Sequence, residues 1–181
     1  MDSDSAHGRE ANVQIQDDLR AQTSAVLLER IEAVTADTVA IFPYSGAETL
    51  ATEYCQRVGR LLTELLAIAV RDGRLDAGER VSDLHRLVTE RSLPVDRLFT
   101  FAYLTERAAL DELALSDAIG ATTEEWPLVA QLVRRGSFDL LAAYTDRALR
   151  EPSGASIVDK LTTLYTRPFP RATFSAYRKL I

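Results

Sequence analysis

The chain has 181 residues, 46% of them hydrophobic, with eight Gly, six Pro and one Cys, which is enough apolar material for one well-buried core, or one domain with a tail, and too little Gly and Pro for a sandwich or barrel. Its net charge of −6 is uneven: residues 1–150 carry 16 Arg against 25 acids, while residues 151–181 carry five basic groups against two acids. An acidic body repels phosphate backbones, which excludes nucleic acid as its partner, and the longest apolar run, Leu65–Val70, is far short of the roughly 20 residues that span a bilayer.

The first dozen residues are acidic, polar and unpatterned. They lack the basic and apolar regions of a signal peptide, so residues 1–12 are expected to be a disordered N-terminus of a cytoplasmic protein. From Val13 to Phe42 the apolar positions Leu19, Val26, Leu27, Ile31, Val34 and Ile41 recur at helical spacing, with a break expected at the β-branched cluster Thr35–Thr38. Pro43 ends that run, and Ser45-Gly-Ala-Glu48 reads as a capping box opening a second helix that carries Leu50, Tyr54, Val58, Leu61, Leu65 and Ile68 and stops at Gly73. Cys55 lies within this stripe as a small apolar filler; no Lys or His stands beside it in sequence to make a reactive thiolate, and a single Cys rules out an internal disulfide.

Asp76-Ala-Gly-Glu79 repeats the capping pattern for a third, shorter helix with Val81, Leu84 and Val88 on one face. Ser92-Leu-Pro94 closes it and places Pro in the first turn of a fourth, which shows Leu98, Phe101, Ala102, Ala108 and Leu113 together with Phe99 and Tyr103. Thr122-Thr-Glu-Glu125 starts a fifth with Trp126, Val129, Val133, Leu140 and Tyr144, in which Gly136 reads as a close helix crossing rather than an anion site. Sustained period-2 alternation is absent, so the fold class is all-α: a globin-like or helical-bundle domain of about five main helices over residues 13–150, followed by a short C-terminal tail. Glu151-Pro-Ser-Gly-Ala-Ser156 is the linker, and residues 151–181 form a separate segment.

Chemistry has little to work with. One Cys and one His in residues 13–150 cannot supply a zinc or iron site, Gly-rich phosphate loops are missing, and no Ser sits in a nucleophile motif. No catalytic residue, metal or cofactor is assigned. His85, beside Leu84 and one turn after Val81, borders the apolar stripe of the third helix. With Arg86 next to it the ring is expected to lean toward solvent, the alternative being an axial haem ligand in a gas sensor. The aromatics Phe99, Phe101, Tyr103, Trp126, Phe138 and Tyr144 gather in the last two helices, as a core or as the lining of a pocket or interface.

The segment Asp159-Lys-Leu-Thr-Thr-Leu-Tyr-Thr-Arg167 resembles the opening of GGDEF domains, the catalytic units of diguanylate cyclases, at Asp159, Leu161, Thr162, Leu164, Tyr165 and Arg167, with Thr163 and Thr166 where Gly and Asn are usual. A Leu-rich helix, a short Arg-bearing helix, then Ser92-Leu-Pro-Val-Asp-Arg-Leu-Phe99 with a run of Ala, Leu and Tyr make residues 80–147 similar to the non-haem, globin-like sensor domains of the RsbR type. Together the resemblances imply a cytoplasmic, bacterial sensory domain that controls a cyclic di-GMP output domain, working as a homodimer and answering a small-molecule or protein signal. The Gly-Gly-(Asp/Glu)-(Asp/Glu)-Phe loop does not occur in these 181 residues, so this chain itself is not expected to be an enzyme. The dimer is expected to form through the first or fifth helix, where Val26 with Leu27, or Leu140 with Leu141, double the apolar stripe. A stand-alone helical interaction protein is the remaining alternative.

Overall fold

In a computed structural model, residues 3–42, 50–76, 78–119 and 123–150 are described, with the backbone alone for residues 3–13. They form six helices and no strand: α1 (Ser3–Glu29), α2 (Ile31–Ile41), α3 (Thr52–Asp72), α4 (Glu79–Glu90), α5 (Val95–Ala114) and α6 (Trp126–Arg150). The all-α class read from the sequence is the class of the structure. α3 organises the rest, because twelve of its 21 residues are buried, among them Tyr54, Val58, Leu62, Leu65, Leu66 and Val70. That is more than one stripe, and a helix apolar over most of its circumference must be surrounded. Accordingly α1, α2, α4, α5 and α6 all pack on it.

Two glycines set how closely they do so. At Gly59 an added Cβ would lie 3.3 Å from Thr35 Cγ2 on α2 and 3.6 Å from the Phe101 ring on α5. At Gly136 on α6 it would lie 3.1 Å from Val70 Cγ2 and 3.2 Å from Leu66 Cδ1. Gly136 therefore marks a close α3–α6 crossing, as its place in the sequence indicates.

The break in the first predicted helix falls elsewhere than expected. Thr35 and Thr38 lie inside α2, where the Thr38 hydroxyl donates to the Val34 carbonyl at 2.7 Å, so the β-branched cluster is accommodated by back-bonding within the helix. The chain bends instead at Arg30 (φ −94°, ψ 12°), with backbone bonds Arg30 N–H to Val26 O and Val34 N–H to Arg30 O on either side. At the other end α1 runs back to Ser3, through the stretch that composition assigns to a disordered terminus; that stretch holds no Pro to stop a helix.

Helix starts also depart from the capping boxes. Ser45–Glu48 lies outside the described residues, and α3 begins at Thr52 behind Ala51, without a side-chain cap. Asp76 does not cap α4: Gly78 is the N-cap residue, Ser82 Oγ donates to its carbonyl at 3.0 Å, and the Asp76 carboxylate pairs with Arg74 at 3.1 Å. Pro94 sits one position earlier than expected, as the N-cap of α5, where its missing N–H is equally harmless.

Helix ends are better provided. Gly73 takes φ 66° after α3, with the Arg20 side chain of α1 lying over it. After α4, Ser92 adopts φ 50°, its N–H donating to Thr89 O at 3.1 Å and that of Leu93 to Val88 O at 2.9 Å. This pair of bonds is the Schellman arrangement, completed by the buried side chains of Leu93 and Val88. On the surface, Arg60 reaches Glu32 at 2.6 Å and Glu64 at 3.7 Å, and Arg80 reaches Glu64 at 2.8 Å, linking α2, α3 and α4. Exposed pairs of this kind contribute little individually.

The α3–α6 crossing predicts two opposite kinds of damage. Gly136→Leu should cost roughly 1–3 kcal/mol by overpacking against Leu66 and Val70. Leu140→Ala, one turn along the same face, should cost roughly 2–5 kcal/mol by leaving a cavity. Denaturant unfolding measures both, and unchanged stability in both variants would contradict the crossing.

Candidate functional site: two buried polar clusters around the central helix

The first cluster joins α3, α4 and α6. Tyr54, in the first turn of α3, is 4% exposed and its hydroxyl donates to the Leu87 carbonyl on α4 at 3.0 Å. Tyr144 on α6 is 1% exposed, and its hydroxyl has no hydrogen-bond partner among the described residues. Beside Tyr144 stands His85, whose ring centroid is 5.9 Å from that of Tyr144 at an interplanar angle of 50°.

His85 is 5% exposed, which corrects the expectation of a ring leaning into water. α6 packs over the α4 face that carries Leu84, His85 and Val88, leaving Arg86 on the solvent side. His85 stands against the Tyr144 ring, and the two cavities of about 290 and 180 Å³ among the described residues are lined by other residues. Among the described residues no group of three or more His, Cys, Asp or Glu is placed to hold a metal.

Burial dominates the electrostatics here. Desolvation pushes both phenols up to about 12, with the charges of Cys55 and Glu90 adding to the effect on Tyr54, and that of Tyr54 to the effect on Tyr144.

The second cluster lies where α2 ends and α5 begins, against the first turns of α3. The Phe42 ring stacks on Phe101 with centroids 4.1 Å apart and planes 10° from parallel, and the Arg97 guanidinium lies 4.6 Å above the Phe42 centroid. Both terminal nitrogens of Arg97 are buried without a hydrogen-bond partner among the described residues. A guanidinium stays charged at any accessible pH, so the ring beneath it offsets only part of the desolvation cost. Cys55 is fully buried nearby; burial raises its thiol pKa more than the Arg97 charge lowers it, so it is the apolar filler its stripe implies.

Sequence reasoning passed over Arg97. The available signal was its position one turn before Phe101 and next to Leu98, a permanent cation bordering an apolar stripe. The aromatic group divides: Phe101 and Tyr144 are core and Trp126 is half-buried, whereas Phe99, Tyr103 and Phe138 are 40%, 61% and 72% exposed. The doubled apolar positions turn inward. Val26, Leu27 and Leu140 are buried and Leu141 is half-buried, so none of those pairs sends a fully exposed residue outward.

No family model, curated protein or solved structure matches the chain. Among the described residues no helix is long and apolar enough to cross a membrane.

Two measurements follow from the clusters. Arg97→Met should raise stability by roughly 1–3 kcal/mol, since it removes a buried charge that, among the described residues, a single cation–π contact offsets only in part; a fall, measured by denaturant unfolding, would contradict this. The phenols predict an alkaline limit. Their folded pKa values exceed the unfolded value near 10, so their contribution is fully present below pH 10 and is lost as pH rises from about 10 to 12. A phenol raised from 10 to about 12 contributes at most about 2–3 kcal/mol. Urea unfolding across that window should show the decline, and Tyr144→Phe should reduce it.

Proposed function

We propose that the chain is a regulatory, sensory domain of a bacterial signal-transduction protein, acting in the cytoplasm on a cyclic di-GMP output unit. The observation that carries this reading is the placement of α6. Its 25 residues pack against α1, α3, α4 and α5, with buried side chains from Val129 to Ala148. It ends at Arg150, nine residues before the Asp159–Arg167 segment that resembles the start of a GGDEF domain; that segment lies outside the described residues.

In this reading, a signal that alters packing against α6 is carried along a helix rising about 1.5 Å per residue to the connector that follows it. The tight crossing at Gly136 and the buried Tyr144 hydroxyl are where a small rearrangement has the largest effect, because close-packed interfaces respond by switching between discrete arrangements.

The test joins residues 1–158 to a complete diguanylate cyclase output domain, aligned at Asp159–Arg167, and measures cyclic di-GMP formation by chromatography. Gly136→Leu should change the rate of the fusion several-fold and leave the isolated output domain untouched. A fusion whose rate equals that of the output domain alone, with and without the substitution, would remove the regulatory role. The exposed aromatics on α5 and α6 favour a second reading, a stand-alone helical interaction protein, and that result would leave it standing.

A further inference from the structure

We propose that the cavity between α1 and the turn into α6 binds a small aliphatic di- or polyamine. The site itself does not depend on the regulatory reading above; that its occupancy is the signal does.

The cavity has a volume of about 290 Å³ and is bounded by the middle of α1 on one side and by residues 118–125 on the other, which suits a molecule smaller than the drug-sized ligands that fill roughly 300–1,000 Å³. Its floor is apolar. Leu19 and Ile119, 8% and 2% exposed, close it toward the core, while Ile15 is exposed at its edge. Two hydrogen bonds hold the walls: Gln22 Nε2 on α1 donates to the Ala118 carbonyl at 3.3 Å, and the Thr123 hydroxyl donates to the Ile119 carbonyl at 2.8 Å. Those polar side chains are committed to the protein. The groups left to meet a ligand are two carboxylates, Asp18 on α1 and Glu125 one residue before α6.

Charge decides the sign of the ligand. Among the described residues no basic side chain lines the cavity. Arg20, two residues from Asp18, is turned to Gly73 at the end of α3, and Asp18 receives only a neutral bond from Gln14 Nε2 at 2.9 Å. The Glu125 carboxylate has no partner among the described residues. Exposed Asp17, Asp117 and Glu124 adjoin the lining residues in sequence and deepen the negative potential.

The lining decides the kind of cation. Magnesium and calcium take roughly six to eight oxygen ligands, whereas here two carboxylates share the cavity with aliphatic side chains, and among the described residues no group of three or more His, Cys, Asp or Glu is placed to hold a metal. A diamine answers each feature: one ammonium group for the carboxylate on α1, another for the carboxylate ahead of α6, and methylenes against Leu19 and Ile119. Bound there, it ties α1 to the head of α6, the helix whose far end leads to the connector.

Calorimetric titration of the full chain with putrescine should show saturable binding at millimolar concentration or below, and butylamine, with a single ammonium group, should bind more weakly. Asp18→Asn and Glu125→Gln should each weaken putrescine binding about five-fold, the effect of losing one exposed charge pair, with an unchanged circular dichroism spectrum. Glu79→Gln, which removes an exposed acid on α4 outside the cavity lining, should leave it unchanged. Absence of saturable binding, equal weakening in all three variants, or displacement of putrescine by equimolar magnesium overturns the proposal. Putrescine that binds but leaves the rate of the fused cyclase unchanged would keep the site and remove its role as the signal. A fusion that still responds to Gly136→Leu, in a chain that does not bind putrescine, would overturn the site and keep the regulatory reading.

Discussion

The structure depends on one helix, α3, more than half of whose residues are buried. α3 has neighbours on almost every side, and no other helix can be positioned without reference to it. Its apolar character accounts for the stability of the bundle, but the spacing comes from small residues: Gly59 lets α2 and α5 close in together, and Gly136 lets α6 lie against Leu66 and Val70. Interiors packed to this density transmit displacement instead of absorbing it. A domain centred in this way is suited to reporting a change at one face on the opposite face.

The buried polar groups fit the same picture. Most helical hydroxyls in the core satisfy themselves locally: Thr23, Thr38, Thr63 and Thr105 each donate to the carbonyl four residues earlier. Thr35 Oγ1, the Tyr144 hydroxyl and the Arg97 terminal nitrogens are exceptions among the described residues. Buried groups with unused hydrogen-bonding capacity are expensive to keep, and these lie on α2, α5 and α6, around α3 rather than on it.

Much of the fold was legible because it is written in periodicity. Leu61 and Leu65, Val81 and Leu84, Leu98 and Phe101, Val129 and Val133 are all buried where a 3.6-residue repeat places them. Helix starts were harder to read, because Ser, Asp and Glu at the right spacing suit a capping box that the chain does not use at α4, and the bend at Arg30 has no Gly or Pro to announce it. Residues at the edge of a stripe were the least legible. His85 and Arg97 each stand one position from a buried Leu, and Phe138 two positions from Leu140, and whether such a side chain is inside or outside depends on which helix crosses there. His85 is covered by α6, Arg97 folds onto Phe42, and Phe138 is left in water.

The bend at Arg30 also divides the contacts of the first two helices. α2 is held on two sides, by α3 and α5, whereas α1 lies mainly on α3, the most extensive helix pair of the bundle, with smaller contacts to α5 and α6. With Leu19, Thr23, Val26 and Leu27 buried, α1 closes the flank of the central helix that the crossings at Gly59 and Gly136 leave open.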